Sequence, residues 1–507
     1  MKNWNEIKTL GELKKSGYRS RSIKEEVREN LLKNLREGKN SFEGIIGYED
    51  SVIPEVERAL LSKHNILFLG LRGQAKTRMA RMMTGLLDEY IPAIAGTELN
   101  EDPFHPITSV AKKKINELGD ACPVEWIPRS QRYGEKLATP DVSVADLIGD
   151  IDPIKAANLR LSFSDEEVIH YGIIPRSNRG IFVINELPDL QARIQVALFN
   201  ILEEGDVQIR GFKIRLPLDI LFVFTANPED YTNRGSIVTP LKDRIQSQIL
   251  THYPKSIDAA LSITRQEVQI PAEQETKVTV HPLIGKLIEQ ISFEARNSEF
   301  VDKKSGVSAR LSISAYQNAV SAAERRAVIN HEDSTQIWIS DLTGIIPSIT
   351  GKIELVYEGE QEGPYQVALN LLEKSIRSQF VQHFPDPDSF KRKRQQVGKG
   401  EENPYNPIIT WFDKGNSISL LFNLTDREKI NTLYQVNGLH ALVKAYYPKL
   451  SEPETALMME FVLHGLSAYS LLSKKIIGHQ MVFKDLMGSM LNFDSSNEYN
   501  DDEFDDQ

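Results

Sequence analysis

Gly70-Leu71-Arg72-Gly73-Gln74-Ala75-Lys76-Thr77 follows the apolar run Ile66-Leu67-Phe68-Leu69 without a break and leads into Met79, Met82, Met83, Leu86 and Leu87 at helical spacing. A short buried strand, a glycine-rich turn and an amphipathic helix in that order make a phosphate-binding loop. Gly70 and Gly73 let the loop wrap tightly, so that backbone N–H groups from Gln74 through Arg78 and the start of the helix face an anion. Lys76 brings a point charge to the β- and γ-phosphates of a nucleotide, and the Thr77 hydroxyl reaches its Mg2+. One position departs from the pattern. Ala75 stands where glycine usually precedes the lysine, and its methyl group is tolerated if the backbone there is right-handed.

Two further apolar runs lie downstream, Ile181-Phe182-Val183-Ile184 and Ile220-Leu221-Phe222-Val223-Phe224. Each is followed at once by polar residues, which places those residues at the carboxyl ends of strands, where open α/β sheets bind ligands. Asn185-Glu186 ends the first run. In phosphate-loop ATPases an acidic pair stands here, one carboxylate holding the metal shell and the second polarising the attacking water. Asn185 keeps a hydrogen-bonding oxygen for the metal shell but carries no charge, a loss worth about 10–100-fold in metal affinity or activity. Glu186 remains as the candidate base. Asn227 follows the second run through Thr225-Ala226 and is suited to hold water between Glu186 and the γ-phosphate. Two arginines complete the set. Arg244, in Thr239-Pro240-Leu241-Lys242-Asp243-Arg244, reads on its own as a surface residue or a local ion pair with Asp243. Arg310, in Gly306-Val307-Ser308-Ala309-Arg310, reads as the start of a helix.

At 507 residues the chain exceeds what one core usually supports, so several domains are expected. Alternating short apolar runs and amphipathic stretches predict an α/β nucleotide-binding domain over 42–254, with insertions where prolines crowd between Ile91 and Gly180. Residues 1–41 read as a polar, helix-prone extension. Apolar spacing at Leu283, Ile284, Leu287 and Ile288 predicts a helical domain over 255–350. Residues 351–491 read as mostly helical, interrupted by a proline- and charge-rich linker near 384–407. The tail 492–507 holds seven acidic residues and no Lys or Arg, and is expected to be disordered.

Net charge is −11, and without that tail the body carries −4. Nucleic-acid binding is therefore disfavoured, because phosphate neutralisation needs clustered Lys and Arg; the Lys391-Arg392-Lys393-Arg394 run reads as a solvated loop. No apolar run is long enough to span a membrane, the N-terminus lacks the apolar core of a secretory signal, and Cys122 stands alone. A cytoplasmic setting is expected.

Taken in order, these pieces resemble the AAA+ ATPases of the magnesium chelatase I subunit and MoxR group. The resemblance covers about residues 42–345. It rests on Gly44-Ile45-Ile46-Gly47, the phosphate loop, Leu137-Ala138-Thr139-Pro140-Asp141, Leu147-Ile148-Gly149-Asp150-Ile151-Asp152, Gly172 to Arg176, and Ser177-Asn178-Arg179-Gly180 running into Asn185-Glu186. A helix over Gln191 to Glu204 and a hairpin over Val207 to Leu216, turning at Gly211, resemble the insertion that this group carries. The resemblance implies an AAA+ core followed by a helical lid, ATP with Mg2+, and a ring of six copies. It implies that Ile46 and Gly47 lie against the adenine, and that Asn227, Arg244 and Arg310 serve as sensor 1, arginine finger and sensor 2. It also implies a partner with a von Willebrand factor A domain. The first reading is a motor ATPase; the alternative is an ATP-gated scaffold with little hydrolysis, motivated by Ala75 and Asn185. A DNA-acting AAA+ protein is disfavoured, since neither the Gly-Ala-Phe-Thr-Gly-Ala loop nor a C-terminal helix-turn-helix is found.

Overall fold

The computed structural model describes residues 6–162, 165–209, 215–228, 236–393 and 403–486. The chain divides into two compact units, Met1–Tyr253 and Pro254–Gln507.

The first unit is built on five parallel strands: β1 (Ile66–Leu69), β2 (Tyr133–Leu137), β3 (Gly180–Asn185), β4 (Ile220–Ala226) and β5 (Ser247–Leu250). Their order across the sheet is β5-β1-β4-β3-β2. The register sets Ile66 against Val223 and Leu221 against Ile181, so the polar ends of β1, β3 and β4 come out along one edge. Side chains alternate between two buried faces. Ile66, Phe68, Ile181, Val183, Leu221 and Val223 join one cluster, with Met79 and Ala80 of the phosphate-loop helix. Leu67, Phe182, Ile184, Phe222 and Phe224 join the other, with Ile194, Leu198 and Ile201. The hairpin strands Asp206–Gln208 and Arg215–Pro217 pair with Val207 opposite Leu216; the turn at Gly211 falls outside the described residues. The helix ahead of it is two short pieces, Ala192–Ala197 and Phe199–Glu203, meeting at Leu198.

Residues 1–41 are more than an extension. Ser22 and Glu25 form a capping box that starts helix Ile23–Arg36, and its Ile23, Val27 and Leu31 are buried in the same cluster as β1. Glu26 on this helix takes two bonds from Arg132, at 2.7 and 2.6 Å, and both side chains are buried. Between Ile91 and Gly180 the insertions form small antiparallel pairs, Tyr90–Ile94 with Val124–Pro128 and Gly149–Ile151 with Ile169–Tyr171.

The second unit is mainly helical, with long helices Pro282–Asn297, Arg310–Ile329, Pro364–His383 and Glu452–Ala468. One hydrophobic cluster runs from Val278 to Phe483, so packing is continuous across position 350. An antiparallel sheet of Ile418–Leu421, Gln480–Lys484 and Ser473–Ile477, not expected from the sequence, belongs to the same unit. The stretch 384–407, expected as an exposed linker, is anchored at both ends. Phe384 and Tyr405 are buried and pack on Phe380, because aromatic rings among the prolines find apolar partners. Residues 394–402 and the acidic tail lie outside the described residues.

Candidate nucleotide site

β1 ends at Leu69 and the chain turns at Gly70, where an added Cβ would run into Thr251 Oγ1 and Gln74 Oε1. A larger residue there would force the Thr251 and Gln74 side chains to shift. Gly73 takes a left-handed turn, with φ +73°, and the helix begins at Lys76 with no side-chain cap. The N–H groups at the start of a helix suit an anion. The tolerance expected for Ala75 is corrected: its backbone is left-handed, at φ 56° and ψ 15°. A residue with a Cβ pays about 1–2 kcal/mol there.

Lys76 is buried, and its Nζ donates to the carbonyls of Gly70 and Leu71 and to Asn227 Oδ1 at 2.6 Å. Asn227 in turn donates Nδ2 to Glu186 Oε2 at 2.9 Å. The loop lysine, the end of β4 and the end of β3 are thereby joined in one row. Glu186 itself is held in a left-handed conformation, φ 54° and ψ 49°, and its N–H donates to Thr225 Oγ1 at 3.2 Å. Strained carboxylate backbones of this kind cluster at working sites.

Asn185 accepts at Oδ1 from Thr77 Oγ1 at 3.2 Å and from Thr225 Oγ1 at 3.1 Å. Its Nδ2 donates to Glu135 Oε1 at 2.7 Å. Glu135 was not legible as a site residue, because Tyr133–Leu137 is too polar to read as a strand and lies at the edge of the sheet. Burial opposes its ionisation, but hydrogen bonds from Arg81, Tyr133 and Asn185 outweigh that and hold its pKa below the ordinary value.

On the far side of the loop, Tyr48 follows Ile46 and Gly47. Its hydroxyl lies 2.7 Å from the carbonyl oxygen of His252 and 3.1 Å from that of Gln74, and burial pushes its pKa to about 12. Thr251 donates to Gln74 Oε1 at 2.6 Å. These contacts, also missed in the sequence, tie the segment before the loop to the end of β5.

Arg244 and Arg310 are the remaining candidates. Arg244 pairs with Glu203, not Asp243: Nε lies 2.7 Å from Oε2, and the guanidinium stacks 4.9 Å over Phe199. Arg310 is exposed at the start of its helix in the second unit.

The donor set fits Mg2+. That ion takes few protein oxygens and keeps several waters, with phosphates completing its shell. Thr77 and Asn185 offer neutral oxygens beside the Glu135 and Glu186 carboxylates. Among the described residues no cluster of three or more His, Cys, Asp or Glu forms a self-sufficient metal cage.

No family model matches the chain. The magnesium-chelatase 38 kDa subunit of Rhodobacter capsulatus is 24% identical over 229 residues, covering 44% of this chain and 59% of that protein. The competence protein ComM of Haemophilus influenzae is 25% identical over 240 residues, covering 44% of this chain and 40% of that protein. The chain thus spans less than two thirds of either relative. Among solved structures, the BchI–BchD complex of magnesium chelatase has a chain 18% identical, with TM-score 0.33, covering 63% of this chain and 98% of that one. With its own phosphate loop, strand order and polar strand ends, the chain resembles the AAA+ ATPases of the magnesium chelatase I subunit.

Proposed function

We propose that the chain binds ATP with Mg2+ and hydrolyses it, as a motor that remodels or drives a partner protein. The observation that carries this reading is the row Lys76–Asn227–Glu186, in which a loop cation, a neutral spacer and a carboxylate are hydrogen-bonded across adjoining strand ends. With nucleotide present, Lys76 exchanges its loop carbonyls for phosphate oxygens and neutralises their charge. Asn227 then holds Glu186 at a fixed reach from the phosphate, and Glu186 orients the attacking water and takes its proton. Mg2+, when bound, would offset the charge of the phosphate oxygens, with Thr77 as its protein ligand and Asn185 beside its shell.

Arg244 is assigned as a finger reaching the nucleotide of a neighbouring copy, which makes turnover depend on a ring, six-membered by resemblance. Arg310 is assigned as a second arginine at the phosphates, and Ile46 and Gly47 as the adenine contact. A von Willebrand factor A domain protein is the partner by the same resemblance, with metal insertion or complex maturation as the task. Among the described residues no helix is long and apolar enough to cross a membrane, which is compatible with work in the cytoplasm.

A second reading is favoured by Asn185: a scaffold that assembles on ATP and hardly turns over. Fluorescent-ATP titration and steady-state phosphate release decide between them. Saturable binding abolished by Lys76→Ala, with release abolished by Glu186→Gln, supports the motor. Binding with equal background release in both proteins leaves the scaffold, and no saturable binding removes both.

A further inference from the structure

An acid at the end of the strand beside a phosphate loop does two things. It accepts a hydrogen bond from the loop hydroxyl, and it lends negative charge to the water shell of the cation. Asn185 does the first, through Thr77 Oγ1 at 3.2 Å, and as an amide cannot do the second. Its other end shows where charge lies. Nδ2 donates at 2.7 Å to Glu135, one strand further along the same edge, which is in register with Val183 on the neighbouring strand.

Glu135 is held by more than Asn185. Arg81, on the phosphate-loop helix, donates to both its oxygens at 2.9 and 3.0 Å, and Tyr133 donates to Oε2 at 2.9 Å. Its side chain is 22% exposed, against 63% for Arg81. An ion pair that open to water adds little to stability, so the pair alone is a weak reason for the arrangement. The pairing with Asn185 is more telling. An aspartate at 185 would set two carboxylates in contact, and one of them would be driven neutral. With an amide at 185, the carboxylate at 135 keeps its charge one strand further out.

The geometry points to Glu135 as the carboxylate that supplies the metal-shell charge missing at Asn185, accepting from cation-bound water while Asn185 bridges it to Thr77. This rests on the nucleotide reading of the loop. The four acceptor positions of Glu135 are filled, so such a water enters by displacing Arg81, the partner most open to solvent.

The test is titration with fluorescent ATP in Mg2+ and in EDTA. In the wild type Mg2+ is expected to tighten binding. Glu135→Gln is expected to lose about 10–100-fold of that gain while matching wild type in EDTA. Adding Asn185→Asp to Glu135→Gln is expected to restore the gain, because the charge returns to β3. Arg81→Ala, which keeps the carboxylate, is expected to retain it. The proposal is overturned if Glu135→Gln keeps the full gain, if it weakens binding equally in EDTA, or if Arg81→Ala loses as much as Glu135→Gln. A wild type indifferent to Mg2+ overturns it too, leaving the nucleotide reading intact. Failure of the wild type to bind fluorescent ATP removes that reading and this proposal together.

Discussion

Asn227 donates its amide to Glu186 at 2.9 Å, so the polar residue that follows β4 fixes the candidate base at the end of β3. Glu186→Gln keeps the size and the Asn227 contact but removes the charge that takes a proton. General-base catalysis is worth about 10²–10⁴-fold, so phosphate release should fall by at least about 100-fold with ATP affinity little changed. Asn227→Ala should lower kcat by a smaller factor, again with little change in KM. Losses confined to KM would count against both roles.

Ala75 stands in a left-handed conformation that glycine adopts freely. Ala75→Gly should relieve about 1–2 kcal/mol of backbone strain and give back part of it as entropy of the unfolded chain. A net gain of about 0.5–1 kcal/mol is expected for the first unit, read as a higher urea midpoint without nucleotide. Ala75→Val should lower the midpoint, since branching at Cβ adds to the clash. If the glycine variant is less stable than wild type, the strain is not there.

Much of this site could be read from the sequence because its residues sit where a buried strand gives way to polar chain. Ile66–Leu69, Gly180–Asn185 and Ile220–Ala226 are apolar on both faces, and such runs announce themselves. β2 and β5 did not, being polar strands at the two edges of the sheet. With β2 went Glu135 and its bond to Asn185. The place of helix Ile23–Arg36 was hidden for another reason: the buried pair Glu26–Arg132 joins residues 106 apart, and charge in a sequence reads as surface until its partner is known. Ala75 shows the reverse limit, since a residue type does not disclose its own φ.

Arg244 is tied within its own chain to Glu203. If it reaches a neighbour's nucleotide, that pair must open on assembly, and the loss on removing it should be large, about 10³-fold or more. Arg244→Ala keeps its own base but offers no finger, whereas Glu186→Gln offers a finger but lacks the base. Mixing the two inactive proteins should therefore recover phosphate release above either alone, because some interfaces join an intact base to an intact finger. No recovery in mixed assemblies would return Arg244 to a structural pairing with Glu203 and Phe199. Glu203→Gln should leave the finger role intact while weakening the hold on it.

Asp219 gives a pH test of how the N-terminal helix is fastened. Its Oδ2 accepts from the Ile23 N–H at 2.7 Å, at the start of helix Ile23–Arg36. Burial raises its pKa to about 6, with the Ile23 bond and Arg179 opposing that rise. An acid whose folded pKa lies above its unfolded value contributes stability below the unfolded value, near pH 4, and loses it as pH rises through about 6. Ionisation of Asp219 thus weighs against the fold at neutral pH, by at most about 3 kcal/mol at 1.36 kcal/mol per unit. Asp219→Asn keeps an acceptor for Ile23 and cannot ionise. Its urea midpoint should exceed that of wild type at pH 7.5 and approach it at pH 4.5. An equal difference between the two proteins at both pH values would show that Asp219 does not titrate in this range.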